Sequence, residues 1–318
     1  MVNPSKEALE ISSRHGIPPS FAERYIQLFQ DQVESFLRAC SSEPVKSIRC
    51  NDMKVSCESL KSRLERKGFR LDKVAWLPHG YIVSEAPASP SLGSTIEYLM
   101  GYYYIQGLAS MIPAYVLQPN EDDLTLDMAA APGGKTTQLS QLMRNRGVVV
   151  AVERSSVRAK SLRENVQRMG ASNVIILRMD VATLTKTSLK FRKILLDAPC
   201  SGEGLIPFYR RGFRTTDDMK RLSEAQLRLI KIAHSLLEEG GELVYSTCAI
   251  GPEENERVIG FAVEELGMKT IDIRGFPGDP GITEFLGVNF PKEVRKCLRL
   301  YPHKHGTEGF FVCHLTRV

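Results

Sequence analysis

From Leu124 onward, short apolar runs alternate with stretches of helical periodicity, and few architectures accept that order. Residues 124–128 read as a strand and 136–143 as a helix. Val148–Val152 is a continuous apolar run, the pattern of a parallel strand buried on both faces. Ser156–Met169 follows as a helix stopped by Gly170, and strands are predicted at Val174–Leu177 and 193–197. A long helix over 223–238, with Ser223 as its N-cap and Gly240 beyond its end, leads to a fifth strand at 242–246. A helix over 253–265 and strands near 269–273 and 310–315 close the series. This order predicts an α/β fold with an open, doubly wound, mostly parallel sheet of the Rossmann-like kind. Ligands in such sheets bind beyond the carboxyl ends of the strands, near the switch in strand order.

The first part of the chain follows another pattern. Residues 21–40 carry apolar side chains at helical spacing (Phe21, Tyr25, Leu28, Phe29, Val33, Phe36, Leu37) and read as one amphipathic helix. A short strand at 47–51, a helix at 57–67 and strands at 71–76 and 81–83 make a small α+β module. Pro87, Pro90 and Gly93 mark a linker. Two domains are therefore expected, a small accessory module at 1–92 and a larger α/β domain at 93–318.

The first strand of the second domain runs into Asp127-Met-Ala-Ala-Ala-Pro-Gly-Gly-Lys135-Thr. Small residues at Ala129, Ala130 and Ala131, then Pro132, Gly133 and Gly134, let the backbone pass close beneath a ligand, and the following helix aims its N-terminal amides there. A phosphate-binding P-loop shares the ending Gly134-Lys135-Thr136, but Ala129 stands where its first glycine belongs and Pro132 interrupts the cradle. An adenosyl cofactor explains more. Asp127, Glu153, Asp180 and Asp197 lie at or just beyond the ends of four successive strands. Glu153, about 20 residues past the loop, is placed to bind ribose hydroxyls. An acidic rim suits S-adenosyl-L-methionine, which is cationic at its sulfonium and amino groups, and does not suit a pyrophosphate.

Two cysteines leave the sheet at the same edge. The fourth strand ends Asp197-Ala-Pro-Cys200-Ser-Gly-Glu-Gly204 and the fifth ends Tyr245-Ser-Thr-Cys248. Carbon-5 of cytosine is too weak a nucleophile to attack a methyl group unaided. A thiolate that adds to carbon-6 pushes electron density to carbon-5, and a carboxyl group at N3, the place for Asp197, supports that shift. The chemistry alone leaves Cys200 and Cys248 interchangeable as nucleophile. Cys40, Cys50, Cys57, Cys297 and Cys313 show no CxxC spacing and are expected to be buried, inert thiols, with no disulfide framework and no metal site.

The Asp127–Thr136 loop, the Asp197–Gly204 motif and Tyr245-Ser-Thr-Cys248 together resemble the NOL1/NOP2/Sun family of RNA cytosine-5 methyltransferases, closest to its compact archaeal tRNA-modifying members. The resemblance extends to Ser47-Ile-Arg-Cys-Asn51, Gly101-Tyr-Tyr-Tyr-Ile-Gln106 and Thr307-Glu-Gly-Phe-Phe311. It implies a class I methyltransferase fold, Cys248 as nucleophile, Cys200 as an aid to product release, and Lys135 with Asp197 in the catalytic set. It also implies that Ala129–Lys135, Glu153, Arg158, Asp180 and Asp197 contact the cofactor or its surroundings. Ribosomal RNA is the nearest alternative substrate to tRNA; an RNA-binding assembly factor and a P-loop ATPase are the alternative classes.

Tyr209, Arg210, Arg211 and Arg214 follow the Cys200 motif and combine cations with aromatics, as contacts to RNA require. Arg154, Arg158, Lys160, Arg163 and Arg168 recur along one helix, and a second basic cluster runs from Lys292 to His305. The net charge of +5 permits a polyanionic partner without demanding one. His303 and His305 lack further ligands at metal spacing. Neither a signal peptide nor a run of about 18 apolar residues is present, so a cytoplasmic monomer without membrane partners is expected. The sequence stops at Val318, just after the closing strand, so no appended C-terminal RNA-binding domain is expected.

Overall fold

A computed structural model describes residues 4–205 and 216–318. Three helices begin the chain: α1 (Lys6–His15), α2 (Pro19–Phe29) and α3 (Val33–Ser41). The single helix expected over 21–40 is thus two. Gln30 takes a left-handed φ of 49° and residues 30–32 form a 3-10 turn, so the polar Gln-Asp-Gln triplet bends the chain until Phe29 stacks on Phe36 with ring centroids 4.0 Å apart. The small sheet follows, with β1 (Ser47–Cys50), α4 (Cys57–Glu65), β2 (Arg70–Lys73), β3 (Gly80–Glu85), a single turn α5 (Ile96–Leu99) and β4 (Tyr103–Ile105). Its order is β2-β3-β1-β4, with every pairing antiparallel. β4 lies beyond the linker expected to end the module at residue 92. It joins the small sheet because Ile48, Arg49 and Cys50 pair with Ile105, Tyr104 and Tyr103.

The larger part contains α6 (Leu108–Leu117), β5 (Leu124–Asp127), α7 (Gly134–Leu142), β6 (Val148–Val152), α8 (Ser156–Met169), β7 (Val174–Leu177), β8 (Phe191–Asp197), α9 (Thr216–Leu236) and β9 (Leu237–Thr247). After these come α10 (Glu256–Glu264), β10 (Lys269–Ile271), β11 (Asp279–Pro280), a hairpin of β12 (Glu284–Phe285) and β13 (Val288–Asn289), β14 (Leu298–Leu300), α11 (Pro302–His305) and β15 (Phe310–Thr316). Nine strands form one sheet in the order β11-β14-β15-β9-β8-β5-β6-β7, with β10 on β15. β5 to β9 are mutually parallel, and β15 returns antiparallel to β9. The chain fills β5, β6 and β7 outward, then crosses back to place β8 on the other side of β5. The switch in strand order therefore falls between β5 and β8, the strands that carry the glycine loop and Asp197.

Side chains alternate across this sheet as the strand period requires. Leu126, Val150, Ile194, Leu196 and Leu243 face α9 and α10, packing with Ile230, Ala233, Val258 and Ile259. Val149, Leu195, Val244 and Val312 face α6 and α7, packing with Ile112, Ala114 and Leu139. Ser223 does not cap α9. The helix starts at Thr216, and Ser223 is buried inside it with its hydroxyl donating 2.5 Å to the Glu253 carbonyl.

The cysteines also differ from expectation. Cys50–Cys57 and Cys297–Cys313 are disulfides; Cys40, Cys200 and Cys248 are free. Sequence spacing conceals both links. Leu298 pairs with Val312 across antiparallel strands, which brings Cys297 opposite Cys313, and α4 folds back onto β1 to bring Cys57 to Cys50. Among the described residues no helix is long and apolar enough to cross a membrane.

Candidate active site

The glycine loop starts where β5 ends. Asp127 is 1% exposed. Its carboxylate accepts 2.7 Å from Thr136 Oγ1, which ties the start of the loop to the first turn of α7. Burial holds this carboxyl up to about 6. Gly133 has φ 105°, and a Cβ there would lie 3.1 Å from Leu162 of α8, so the loop passes too close to its neighbour for a larger residue without adjustment. The Lys135 ammonium leaves α7 toward β8, donating 2.8 Å to Asp197 Oδ2 and 2.9 Å to Ser110 Oγ. It is paired with a carboxylate, whereas a P-loop lysine points to an anionic ligand.

Asp197 and the two thiols are placed by sheet register. β8 and β9 are parallel with Asp197 opposite Ser246, and Ser246 Oγ donates 2.7 Å to Asp197 Oδ1. Two and three residues further on, both chains leave the sheet on the same side. Cys200 Sγ and Cys248 Sγ meet at 3.0 Å as a thiol hydrogen bond. The hydrogen bond with Cys248, together with burial, pushes the Cys200 thiol well above its ordinary range. The Gly204 amide donates 2.8 Å to the Cys248 carbonyl, closing one loop on the other. A Cβ at Gly204 would meet the Gly309 carbonyl oxygen at 2.0 Å, so only glycine permits this approach.

A cleft of about 210 Å³ runs from Tyr104–Gly107 along the glycine loop to Asp197. A second of about 240 Å³ continues from Ala129, Ala131 and Asp197 to Cys200 and Cys248. The two share Ala129, Ala131 and Asp197. Glycine loop, carboxylate and thiols therefore lie along a single rim. Glu153 follows β6 with its side chain nearly buried, Oε1 accepting 2.8 Å from the Ser155 amide and Oε2 forming an ion pair with Arg158 at 3.4 Å. Arg158 also donates 2.5 Å to the Ala131 carbonyl. Asp180 is exposed and caps the turn after β7, accepting from the Ala182 amide at 2.9 Å.

Residues 114–316 match the family of the 16S rRNA methyltransferases RsmB/F, and residues 17–108 match the N-terminal domain of the 16S rRNA methyltransferase RsmF. The chain belongs to the RsmB/F family. A tRNA (cytosine(72)-C(5))-methyltransferase of Pyrococcus horikoshii is 43% identical over 229 residues, 72% of this chain and 56% of that protein. The chain thus spans little more than half of that relative's length. A methyltransferase homologue from Pyrococcus horikoshii has a solved structure that is 37% identical with TM-score 0.90, covering 99% of this chain and all of the other. NSun6 from Pyrococcus horikoshii, solved with the S-adenosylmethionine analogue SFG, is 30% identical with TM-score 0.83, over 99% of this chain and 98% of that one. The α/β class I methyltransferase fold follows from these matches, as does S-adenosylmethionine as the family's cofactor. The chain's own residues suit that cofactor, because the Asp197 carboxylate lines both clefts beside a loop of small residues, while Glu153, nearly buried just after β6, lines neither.

Other expected residues fall in different places in this RsmB/F chain. Tyr209, Arg210, Arg211 and Arg214 lie outside the described residues. Arg168 serves the small domain, donating to the Tyr98 and Tyr103 carbonyls and stacking over the Tyr98 ring at 4.0 Å. The C-terminal basic cluster disperses. Arg299 is buried on Glu256, His303 packs against Phe29 and Phe36, and Lys304 pairs with Asp279.

The sequence reading missed Arg49 as a functional side chain. It is fully buried and has no carboxylate partner in the described residues. Its guanidinium donates to Gln106 Oε1 (2.5 Å), the Gly134 carbonyl (2.6 Å), Thr137 Oγ1 (2.8 Å) and Gln141 Oε1 (3.1 Å). Burial pulls it down to about 10, which leaves it charged at neutral pH. The small sheet thereby holds α7 and the glycine loop. The signal available was an arginine inside an otherwise buried strand.

Proposed function

We propose that this chain is an RNA (cytosine-5) methyltransferase acting on tRNA, with Cys248 as nucleophile and Cys200 as the thiol that assists release. The observation that carries the reading is the 3.0 Å Cys200–Cys248 contact beside Asp197 on the rim that holds the glycine loop. The Cys200 thiol, held protonated by that contact and by burial, is the donor toward the Cys248 sulfur. Cys248 adds to carbon-6 of the cytosine. A proton relayed from the Lys135 ammonium through the Asp197 carboxylate reaches N3 as negative charge develops there, and it returns by the same path when the ring regains its aromaticity. Bound S-adenosylmethionine supplies an electrophilic methyl group to carbon-5. The carbon-5 proton is then lost to solvent, its electron pair re-forms the ring double bond, and the carbon–sulfur bond breaks with Cys200 donating to the departing Cys248 thiolate.

Ala129–Lys135, Glu153, Arg158, Asp180 and Asp197 form the cofactor's surroundings in this reading, and Tyr209, Arg210, Arg211 and Arg214 contact the RNA backbone and bases. Glu153→Ala should raise the cofactor Kd about 10- to 100-fold, the value of a hydrogen bond to a charged group, while RNA affinity stays unchanged. Calorimetry with each ligand separates these outcomes, and equal losses would remove the ribose role.

The preference for tRNA draws support from the identity to the archaeal tRNA enzyme; the RsmB/F family's ribosomal substrates are the second reading. Transfer of labelled methyl to purified tRNA, with 16S rRNA in parallel, tests it. Label on rRNA alone would transfer the proposal to that substrate. A monomer in the cytoplasm completes the proposal, although two disulfides are uncommon in reducing compartments.

A further inference from the structure

Two side chains outside the motifs meet behind the Cys200 loop. Gln226 lies within α9 with no exposed surface, and Glu254, equally buried, lies in the turn between β9 and α10. Gln226 Nε2 donates 2.9 Å to the Pro199 carbonyl and 2.9 Å to Glu254 Oε2. The same Glu254 oxygen accepts from the Ser201 amide at 2.9 Å. Both chain neighbours of Cys200 are thus fastened to one side-chain pair, one through its carbonyl and the other through its amide.

The loop has few other supports among the described residues. The Ala198 amide is bound to the Ser246 carbonyl at one end, and the Gly204 amide to the Cys248 carbonyl at the other. Between those anchors Pro199 has no N–H to offer, and the other side-chain ties are the Cys200–Cys248 contact itself, the Glu203 amide to Ser201 Oγ at 3.3 Å and the Glu203 carboxylate beside Tyr25 and Arg24. The height of Cys200 above Cys248 therefore depends on the Gln226–Glu254 pair. We infer that Gln226 and Glu254 are positioning residues that hold the Cys200 thiol against Cys248, so that losing them impairs release of the methylated product more than methyl transfer itself. The inference rests on the assignment of the two thiols proposed above. Displacing a reacting group by about 1 Å costs on the order of 100-fold, so a slack loop is enough to stall the step in which Cys200 takes part.

Gln226→Met keeps the volume and removes both donors. With full-length protein, labelled tRNA and S-adenosylmethionine, the fraction trapped as a covalent protein–RNA adduct on a denaturing gel should rise about tenfold or more, while the first-turnover methyl transfer stays within about threefold. Glu254→Gln keeps an oxygen for the Ser201 amide and should turn over normally, whereas Glu254→Ala should trap adduct as Gln226→Met does. Gln226→Met with wild-type turnover and no adduct overturns the inference, as does equal loss of both steps. If Gln226→Met fails to fold, as judged by its melting temperature, the Glu254 variants decide: trapping by Glu254→Gln, or identical behaviour of Glu254→Gln and Glu254→Ala, overturns it. Cys200→Ala runs in parallel. No adduct from Cys200→Ala removes the thiol assignment itself, and adduct from Cys200→Ala without adduct from Gln226→Met removes only the bracket.

Discussion

Cys248→Ala should lower methyl transfer by on the order of 10⁴-fold or more and form no covalent adduct with RNA, while S-adenosylmethionine still binds with nearly its original affinity. The size follows from the chemistry. Without addition to carbon-6 the pyrimidine has no enamine-like form, and the electrophilic methyl group meets an unactivated ring carbon. The retained cofactor affinity follows from geometry, because the glycine loop and Glu153 are built from other strands and lean on Thr136, Arg49 and Ser155. Cys200→Ala should do the opposite, carrying out methyl transfer once and then remaining joined to its product. A denaturing gel with labelled RNA reads both variants. An adduct from Cys248→Ala would exchange the roles of the two thiols.

The largest expected loss of stability comes from Glu256→Ala. Glu256 and Arg299 are both essentially without exposed surface and form a two-point ion pair, Nε to Oε1 at 2.6 Å and Nη2 to Oε2 at 2.7 Å. Arg299 also donates to the Ile250 carbonyl (3.0 Å) and Tyr301 Oη (2.7 Å). Removing one partner of such a pair leaves an uncompensated buried charge, which costs about 3–5 kcal/mol. Chemical denaturation should show that loss. Because Ile250 lies two residues beyond Cys248, activity should fall even at temperatures where the variant stays folded. A loss under about 1 kcal/mol would mean that water reaches Arg299 and solvates it.

The parts of the fold that were legible in the sequence are those with a strong local signal. Val148–Val152 and Ser156–Met169 carry uninterrupted patterns, and Gly170 stops the helix where expected. The rim was legible because acids and cysteines at strand ends announce themselves in a parallel sheet without knowledge of neighbours. Where the reading went wrong, the deciding contacts were remote. The periodicity of 21–40 runs across a bend that only the packing of Phe29 on Phe36 reveals. The disulfides depend on which elements lie side by side, α4 on β1 for one and β14 on β15 for the other. β4 belongs to a sheet whose other members end 18 residues earlier, at Glu85. Arg49, Gln226 and Glu254 are polar residues of ordinary appearance, and their importance comes from being buried together with the loops that they hold.

Tyr104, Ile105 and Gln106 come from the end of the small sheet, yet they form one wall of the cleft that the glycine loop bounds on the other side. The small sheet and the larger α/β part thus share masonry. Excising the former would open the cleft of the latter to solvent, so a shortened protein should lose affinity for S-adenosylmethionine. Grafting the module from one relative onto another would likewise alter cofactor affinity unless Arg49 and its acceptors travelled as a set.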